Sequence, residues 1–451
     1  MTIIIGAGIS GLVLAYHLHR LQKPYLLVEA SNRVGGYLQS VVEGNYLFEM
    51  AANSILADAE IVDFLHTLGL QEQILYPNTS SNKRYILKNG KYAALPSSPP
   101  ALLWNNFFSW KTKYKILKEF ANKTSSPEAE TVAEFFDRHF GKEIVEYAVN
   151  PFVMGIYAGN PEKLLIAKTF PQLLDLEKQY GSILKGFIKN KSAQRKLSLN
   201  FREGMETLPK AIAKNLNIRF QTKVISIKHT TDNTQADTKK YTITAQEISQ
   251  NIESIHKHIT LQADNIVITS PSFQTQEFVA QLFPEFAKAL QKIYYPPLTV
   301  VHSVFKKSAV GLQLDGFGAL HPKIENAFSA GTIWTSSVVE NRCPIDEIML
   351  TSFIGGAVAP EKAALDDAVL VEKLNEELNK LYKITEKPIL QRITRWKNAI
   401  PQYDEAMLET DKQIENLAKQ QIFVCANWNL GVSLADAMHK GKALAEKLAL
   451  V

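Results

Sequence analysis

The chain opens on an unbroken apolar run, Ile3-Ile4-Ile5, with the β-branched character of a strand buried on both faces. After six residues rich in glycine, Leu12, Val13, Leu14, Leu18 and Leu21 give one apolar face to a helix beginning near Ser10. Tyr25-Leu26-Leu27-Val28 reads as a second buried strand and ends on Glu29. One such unit cannot complete a doubly wound sheet, so later strands must join it. The candidates are Ile218-Arg219-Phe220, Val224-Ile225-Ser226-Ile227, Ile266-Val267-Ile268-Thr269 and Ile422-Phe423-Val424-Cys425, the last leading into a helix from about Leu434 to Leu450. Residues 97–195 read as mostly helical, whereas 294–357 alternate apolar and polar positions between Gly turns, as a sheet does. A polar excursion between Lys228 and Gln262, carrying His256 and His258, is expected to decorate a β-hairpin.

The glycine-rich turn is Gly6-Ala7-Gly8-Ile9-Ser10-Gly11. Its glycines suit a tight turn, close backbone approach to a pyrophosphate, and close packing of helix on strand. The helix that follows would point its N-terminal amides at the phosphates, and Glu29 suits ribose hydroxyls. Arg33, Gly35 and Gly36 then add a second glycine pair that a simple NAD domain does not need, and the compound pattern points to FAD. The expected fold is α/β. A discontinuous Rossmann-like FAD-binding domain (1–76, 196–270, 391–451) joins a β-sheet substrate domain (77–96, 271–390) and a mostly helical domain (97–195).

Composition narrows the alternatives. With 46% hydrophobic and 21% charged residues over 451 positions, the chain can fill two or three cores and is not a disordered protein. Cys343 and Cys425 are its only cysteines, which excludes a disulfide framework and a Cys-based metal or iron–sulfur site. The ten histidines form no metal-ligand spacing: His17 and His19 fall in the first helix and His439 in the last. A net charge of +5 without a basic, aromatic-interleaved stripe argues against nucleic acid as a partner. Because the first strand starts at Thr2 and no apolar stretch approaches about 18 residues, a cytoplasmic location without a leader or membrane span is expected.

Several stretches beyond the glycine turn resemble the FAD-dependent porphyrinogen oxidases of haem synthesis, within the monoamine oxidase and phytoene desaturase superfamily. They are Arg84-Tyr85-Ile86-Leu87-Lys88-Asn89-Gly90 with Leu95-Pro96-Ser97, the run from Asn150-Pro151 through Gly155 to Gly159-Asn160-Pro161, and Phe170-Pro171 with Glu177 and Tyr180-Gly181-Ser182. Gly204-Met205-Glu206-Thr207-Leu208-Pro209, Gly316-Phe317-Gly318-Ala319-Leu320, Thr351-Ser352-Phe353-Ile354-Gly355-Gly356, and Arg395-Trp396 with Ile400-Pro401-Gln402-Tyr403 follow in the family's order. The resemblance implies FAD contacts along the Gly6, Ala7, Gly8, Ile9, Ser10, Gly11 turn and at Glu29, Ala30, Arg33, Gly36, Tyr37, Ala51, Ala52, Val224, Trp396, Asn427, Val432, Ser433 and Leu434. It implies a macrocycle pocket at Asn53, Arg84, Gly155, Leu320, Ile333 and Phe353. Ala51-Ala52 and Ala426 depart from the family at places that commonly carry glycine, which bears on loop geometry more than on the cofactor.

The implied reaction removes six electrons and six protons from a porphyrinogen, with three two-electron flavin cycles and O₂ as final acceptor. Such chemistry needs orientation more than an acid/base pair, and no catalytic dyad stands out. Arg84 is the one basic residue assigned to the substrate, as partner for a propionate. That favours protoporphyrinogen IX, with coproporphyrinogen III, another superfamily oxidase or desaturase, and a flavin-binding assembly factor as alternatives. A homodimer is left open.

Trp104, Phe107, Phe108 and Trp110 precede Lys111, Lys113, Lys115 and Lys118, with Tyr114, Leu117 and Phe120 at helical spacing. Alone, the pattern fits either a helix packed on its own domain or an interfacial helix on anionic lipid. The resemblance favours the second, a peripheral attachment on the cytoplasmic face.

Overall fold

The computed structural model describes residues 1–78, 82–96, 101, 104–122, 124–127, 129–189, 196–230, 240–248 and 257–450. Ser97 and His256 lie outside them. Five short runs stack as expected into a parallel sheet, in the order Ile218–Arg219, Tyr25–Val28, Thr2–Ile5, Asn265–Ile268, Ile422–Val424. Its central residues, among them Ile3, Ile4, Leu27, Ile266 and Val267, are fully buried, as parallel strands covered on both faces must be.

The first helix, Ile9–Arg20, lies against this sheet with the last helix, Leu434–Ala449, beside it. Glycine makes both contacts possible. A Cβ at Gly11 would stand 2.1 Å from the carbonyl oxygen of Gly6, and one at Gly441 would press on Ser10 O and Leu14 N, each at 3.1 Å.

The run Val224–Ile227 corrects the expectation made for it. It belongs to the strand Thr222–His229, which forms a separate antiparallel sheet with Tyr241–Glu247 and His258–Ala263. Its burial alternates, Thr222 and Val224 inward and Lys223 and Ile225 outward, so it has one face to hide where a strand of the parallel sheet would have two. The described part of the polar excursion forms the hairpin strands.

The third large sheet is built from seven strands in the order Leu390–Trp396, Leu298–Lys306, Glu347–Gly355, Gly331–Ile333, Gly318–Leu320, Tyr85–Lys88, Lys91–Ala94. Val301, Ala319, Leu350 and Ile354 share one face and cluster with Leu370, Leu374 and Leu378 of the helix Asp367–Tyr382. Registers Gly318↔Ile333↔Thr351↔His302 and Leu320↔Gly331↔Phe353↔Val300 put Leu320, Ile333 and Phe353 on the other face. Gly318 and Gly331, with φ of +154° and +152°, draw the two short strands together: a Cβ at Gly318 would sit 2.3 Å from Thr332 O.

Residues 110–189 are largely helical, held by a buried polar knot. His139 lies 3.0 Å from Glu119 on one ring nitrogen and 3.0 Å from Glu177 on the other. Glu177 also accepts from Arg138 at 2.7 Å, and Ser182 donates to Glu119 at 2.7 Å. Gly181 ends the preceding helix at φ +69° and so delivers Ser182 to that bond. Glu177 and Gly181-Ser182 therefore do structural work in this chain.

Substituting Gly11 by alanine places a methyl against the Gly6 carbonyl, so the helix must back away from the turn. Overpacking of this kind costs about 1–3 kcal/mol or more. The expected outcome is a lower melting temperature for the FAD-free protein together with weaker FAD retention; a Gly11→Ala protein that melts and binds FAD like wild type would contradict the contact.

Candidate functional site

The glycine turn forms the floor of a dinucleotide cradle. Gly6 takes φ +111°, and the space where Gly8 would carry a Cβ is open, with nothing within 4 Å. The helix Ile9–Arg20 has neither a side-chain cap nor an acidic residue in its first turn, so its amide end is left for an external anion. Ala7, Ile9 and Ser10 are buried and serve as wall. Glu29 accepts from Ala7 N at 2.7 Å and Ser31 N at 2.8 Å, which fixes its carboxylate at the end of the second strand, next to exposed Ala30. Gly36 meets Gly8 at 3.4 Å from its Cβ position, and Arg33 bonds the carbonyls of Val34 and Gly36 at 3.2 and 2.6 Å. Both glycine motifs thus frame one space. Val224 is buried in the adjoining antiparallel sheet, whose Thr222 N donates to Glu29 O at 2.9 Å. Open space at Gly8 and an uncapped helix end fit a pyrophosphate.

From the opposite side come Tyr37, the loop after Glu49, and Trp396. Tyr37 and Trp396 meet edge to face at 5.2 Å, and Trp396 Nε1 donates to Met50 O at 2.8 Å. Ala51, Ala52 and Ala426 all avoid positive φ, so the methyls that depart from the family pattern cost no backbone strain. The loop between Val424 and the last helix carries Asn427 and Val432 and closes on a capping box, Ser433 with Asp436, which starts the helix at Leu434. Buried Tyr403 braces this loop, donating to Asn427 O and accepting from Gly431 N, both at 2.7 Å.

Of the substrate candidates, Leu320, Ile333 and Phe353 share the sheet face turned away from the helix Asp367–Tyr382, Gly155 lies against Leu320, and Asn53 and Ile333 line a common cleft that Arg84, Gly155, Leu320 and Phe353 do not line. A Cβ on Gly155, in the helix Asn150–Tyr157, would touch Leu320 at 3.0 Å, so a side chain there would invade the wall. Ile333, Phe317 and Asn53 line one narrow cleft. Arg84 is exposed and stacks its guanidinium 4.0 Å from the Phe317 ring centroid, at the cleft's edge. Asn53 donates to Ala51 O at 3.2 Å while its own Oδ1, buried, has no hydrogen-bond partner among the described residues.

Three buried polar residues at the back of this site were not foreseen. Arg342 lines the same cleft, which corrects the expectation that Arg84 is the only basic residue there. It donates to Phe201 O at 2.9 Å and lies 3.9 Å from Glu49. Burial raises the Glu49 carboxyl and lowers the Arg342 guanidinium from their ordinary values, each opposed by the other's charge. Glu49 also accepts from Ser40 at 2.6 Å and Met205 N at 2.9 Å. His302 stands on the same sheet face, edge-on to Phe48 at 5.1 Å. None of the three sits in a motif; Glu49 and His302 stand within apolar runs that hint at burial, whereas Arg342, between Asn341 and Cys343-Pro344, has no such sign.

An α/β core with a cradle for a dinucleotide and a pocket wall against it defines an FAD-dependent oxidoreductase. Residues 9–449 match the model of the family described as flavin containing amine oxidoreductase. Protoporphyrinogen oxidase 2, chloroplastic/mitochondrial, of Arabidopsis thaliana is 30% identical, covering 97% of this chain and 91% of its own. Coproporphyrinogen III oxidase of Bacillus subtilis is 26% identical, with 98% and 96% covered. Among solved structures, one from Exiguobacterium sp. 255-15 superposes with a TM-score of 0.79 at 21% identity, covering 100% of this chain and 98% of that one. Reduced UDP-galactopyranose mutase gives 0.73 at 16%, with 100% and 96% covered. The chain belongs to the FAD-dependent protoporphyrinogen/coproporphyrinogen oxidase family, and FAD is its cofactor.

Burial lowers the His302 imidazole to about 4 from 6.5. Unfolded, it binds a proton near pH 6.5; folded, near 4, facing Phe48, Glu49 and Arg392. Between these values the unfolded chain holds more protons, so stability is complete above pH 6.5 and falls as pH drops toward 4, by on the order of 3 kcal/mol. His302→Phe is expected to flatten that acid limb in denaturant melts taken between pH 7 and 4; an unchanged limb would refute the assignment.

Proposed function

We propose that this protein oxidises protoporphyrinogen IX to protoporphyrin IX in haem synthesis. The observation that carries the reading is the apolar sheet face, with Leu320, Ile333 and Phe353 on one side and Gly155 cleared away opposite Leu320, edged by the exposed guanidinium of Arg84. A flat macrocycle suits such a wall, and the guanidinium fork suits a propionate. When bound, FAD would supply a two-electron acceptor, with O₂ taking those two electrons and two protons to become hydrogen peroxide, so a six-electron oxidation would use three O₂. The chain's own residues hold, orient and keep dry. Gly6, Gly8, Gly11, Glu29, Ala30, Arg33, Gly36 and Tyr37, with Ala51, Ala52, Val224, Trp396 and the Asn427–Leu434 segment, hold the cofactor. Asn53, with its unpartnered Oδ1, is placed to accept from a pyrrole N–H.

Preference for two propionates over four follows from charge. Arg342 adds a second cation, but Glu49 and the carbonyl of Phe201 already engage it. Additional buried carboxylates would lack partners and be penalised. Wild type should favour protoporphyrinogen over coproporphyrinogen in kcat/KM, and Arg84→Ala should lose about 10–100-fold, the worth of a charge-assisted hydrogen bond. Porphyrin fluorescence with both substrates tests this; a coproporphyrinogen preference, or an Arg84→Ala enzyme equal to wild type, overturns it.

We further propose reversible attachment to an anionic membrane surface through the helix Trp110–Glu119. The structure corrects the membership of that face. Phe107 and Phe108 are buried, and Lys113 is 4% exposed and bonded to Asn105 O, whereas Trp104, Trp110, Tyr114 and Leu117 stand at 86, 82, 67 and 52% exposure. Lys111, Lys115 and Lys118 are exposed beside them, and Phe187 and Ile188 of the helix Ile183–Lys189 are exposed as well. Among the described residues no helix is long and apolar enough to cross a membrane. Trp104→Ser with Trp110→Ser, or Lys111, Lys115 and Lys118→Glu, should each cut flotation with phosphatidylserine vesicles; equal flotation of both variants and wild type discards the idea.

A further inference from the structure

The loop between Val424 and Leu434, which carries the FAD-contact candidates Asn427, Val432 and Ser433, is organised around one side chain that no motif identifies. Lys440, in the second turn of the last helix, reaches back along it. Its Nζ donates to the carbonyls of Ala426 at 2.9 Å, Gly431 at 3.1 Å, and Asn429. An ammonium has three N–H groups and three carbonyls consume them, which a neutral amine cannot do.

Peptide geometry carries the consequence. In a trans peptide the N–H of the next residue points opposite to the carbonyl. With the carbonyls of residues 426, 429 and 431 drawn onto Lys440, the amides of Asn427, Leu430 and Val432 face away from it. Among the described residues none of these three amides has a hydrogen-bond partner. The reversal is held at both flanks: Leu430 and Gly431 take φ of +55° and +111°, and Trp428 Nε1 ties the loop to Ser270 O at 2.9 Å.

We propose that Lys440 is a positioning residue for the flavin: by gathering three loop carbonyls it presents the amides of Asn427, Leu430 and Val432 as donors to the cofactor. An amide donor gains strength when its acceptor becomes anionic, so reduced flavin profits more than oxidised flavin. Lys440 therefore supports both retention of FAD and its readiness to accept electrons.

The test uses full-length protein and no porphyrinogen, so its outcome is independent of the substrate reading. FAD-stripped wild type, Lys440→Met, Lys440→Gln and Lys440→Arg are titrated with FAD by fluorescence quenching. Their two-electron potentials are measured by dye equilibration, and their FAD-free melting points in parallel. Lys440→Met is expected to weaken FAD binding about tenfold or more. It should also lower the potential by about 30 mV, which is a tenfold selective loss of reduced-flavin binding. Lys440→Arg should fall between. Unchanged affinity and potential would overturn the proposal, as would a loss of affinity fully explained by melting of the FAD-free protein with no change in potential. Should Lys440→Met fail to fold, Lys440→Gln decides: two donors without charge must give a weaker complex and a lower potential, and equality with wild type refutes.

Discussion

The site depends on how closely backbone can approach backbone where side chains are missing. Gly11 lets the first helix come within contact of the Gly6 carbonyl, and Gly441 lets the last helix lie on Ser10 and Leu14. No other residue fits at Gly11 without moving the helix, because the obstructing atom is a carbonyl oxygen and cannot swing aside. Through these two contacts the ends of the chain come together. The phosphate-facing helix end from residues 9–11 and the capped helix start at Leu434 then belong to one cradle, and the loop that precedes Leu434 inherits its position from them.

A second constraint sits on the seven-stranded sheet. One face is committed to the helix Asp367–Tyr382 through Leu370, Leu374 and Leu378, so alternation leaves the opposite face for Leu320, Ile333, Phe353 and Trp396. Trp396 and the apolar substrate candidates thereby share a single sheet surface, to which the loop after Glu49 adds Ala51, Ala52 and Asn53. Behind it Glu49 and Arg342 are buried and nearly in contact, an arrangement that stabilises only because each has further hydrogen bonds. Glu49 reaches Ser40 and Met205 and ends the strand that precedes Asn53, so the cradle, the chain's 205 loop and the pocket cleft are tied at one carboxylate.

What could be read from sequence followed from periodicity and glycine. The strands Thr2–Ile5 and Tyr25–Val28 and both terminal helices were visible because their burial is continuous or one-sided along the chain. Val224–Ile227 misled because four residues with three apolar members fit either a covered or a half-covered strand, and only pairing with Tyr241–Glu247 decides. Phe107 and Phe108 against Trp104 and Trp110 were beyond reach for a related reason: composition names an amphipathic segment but not which rotation faces the core. Glu49, His302, Arg342 and Lys440 were hidden because a buried polar group is defined by partners far away in sequence, such as Phe201 for Arg342.

Cofactor and substrate are recognised by different parts of the chemistry. On the proposed site the dinucleotide would be met largely by backbone: open space at Gly8, helix amides, and loop amides that Lys440 turns outward. Backbone recognition tolerates side-chain change, and the same fold recurs in a mutase at 16% identity. The proposed pocket is different, since Arg84, Leu320, Ile333 and Phe353 would act through side chains alone, whereas Asn53 is also bonded to the cofactor loop at Ala51 O. Specificity within this family must therefore be sought on the free face of the sheet and its rim, where a single guanidinium or an extra methyl at Gly155 changes what fits while the oxidising machinery stays as it is.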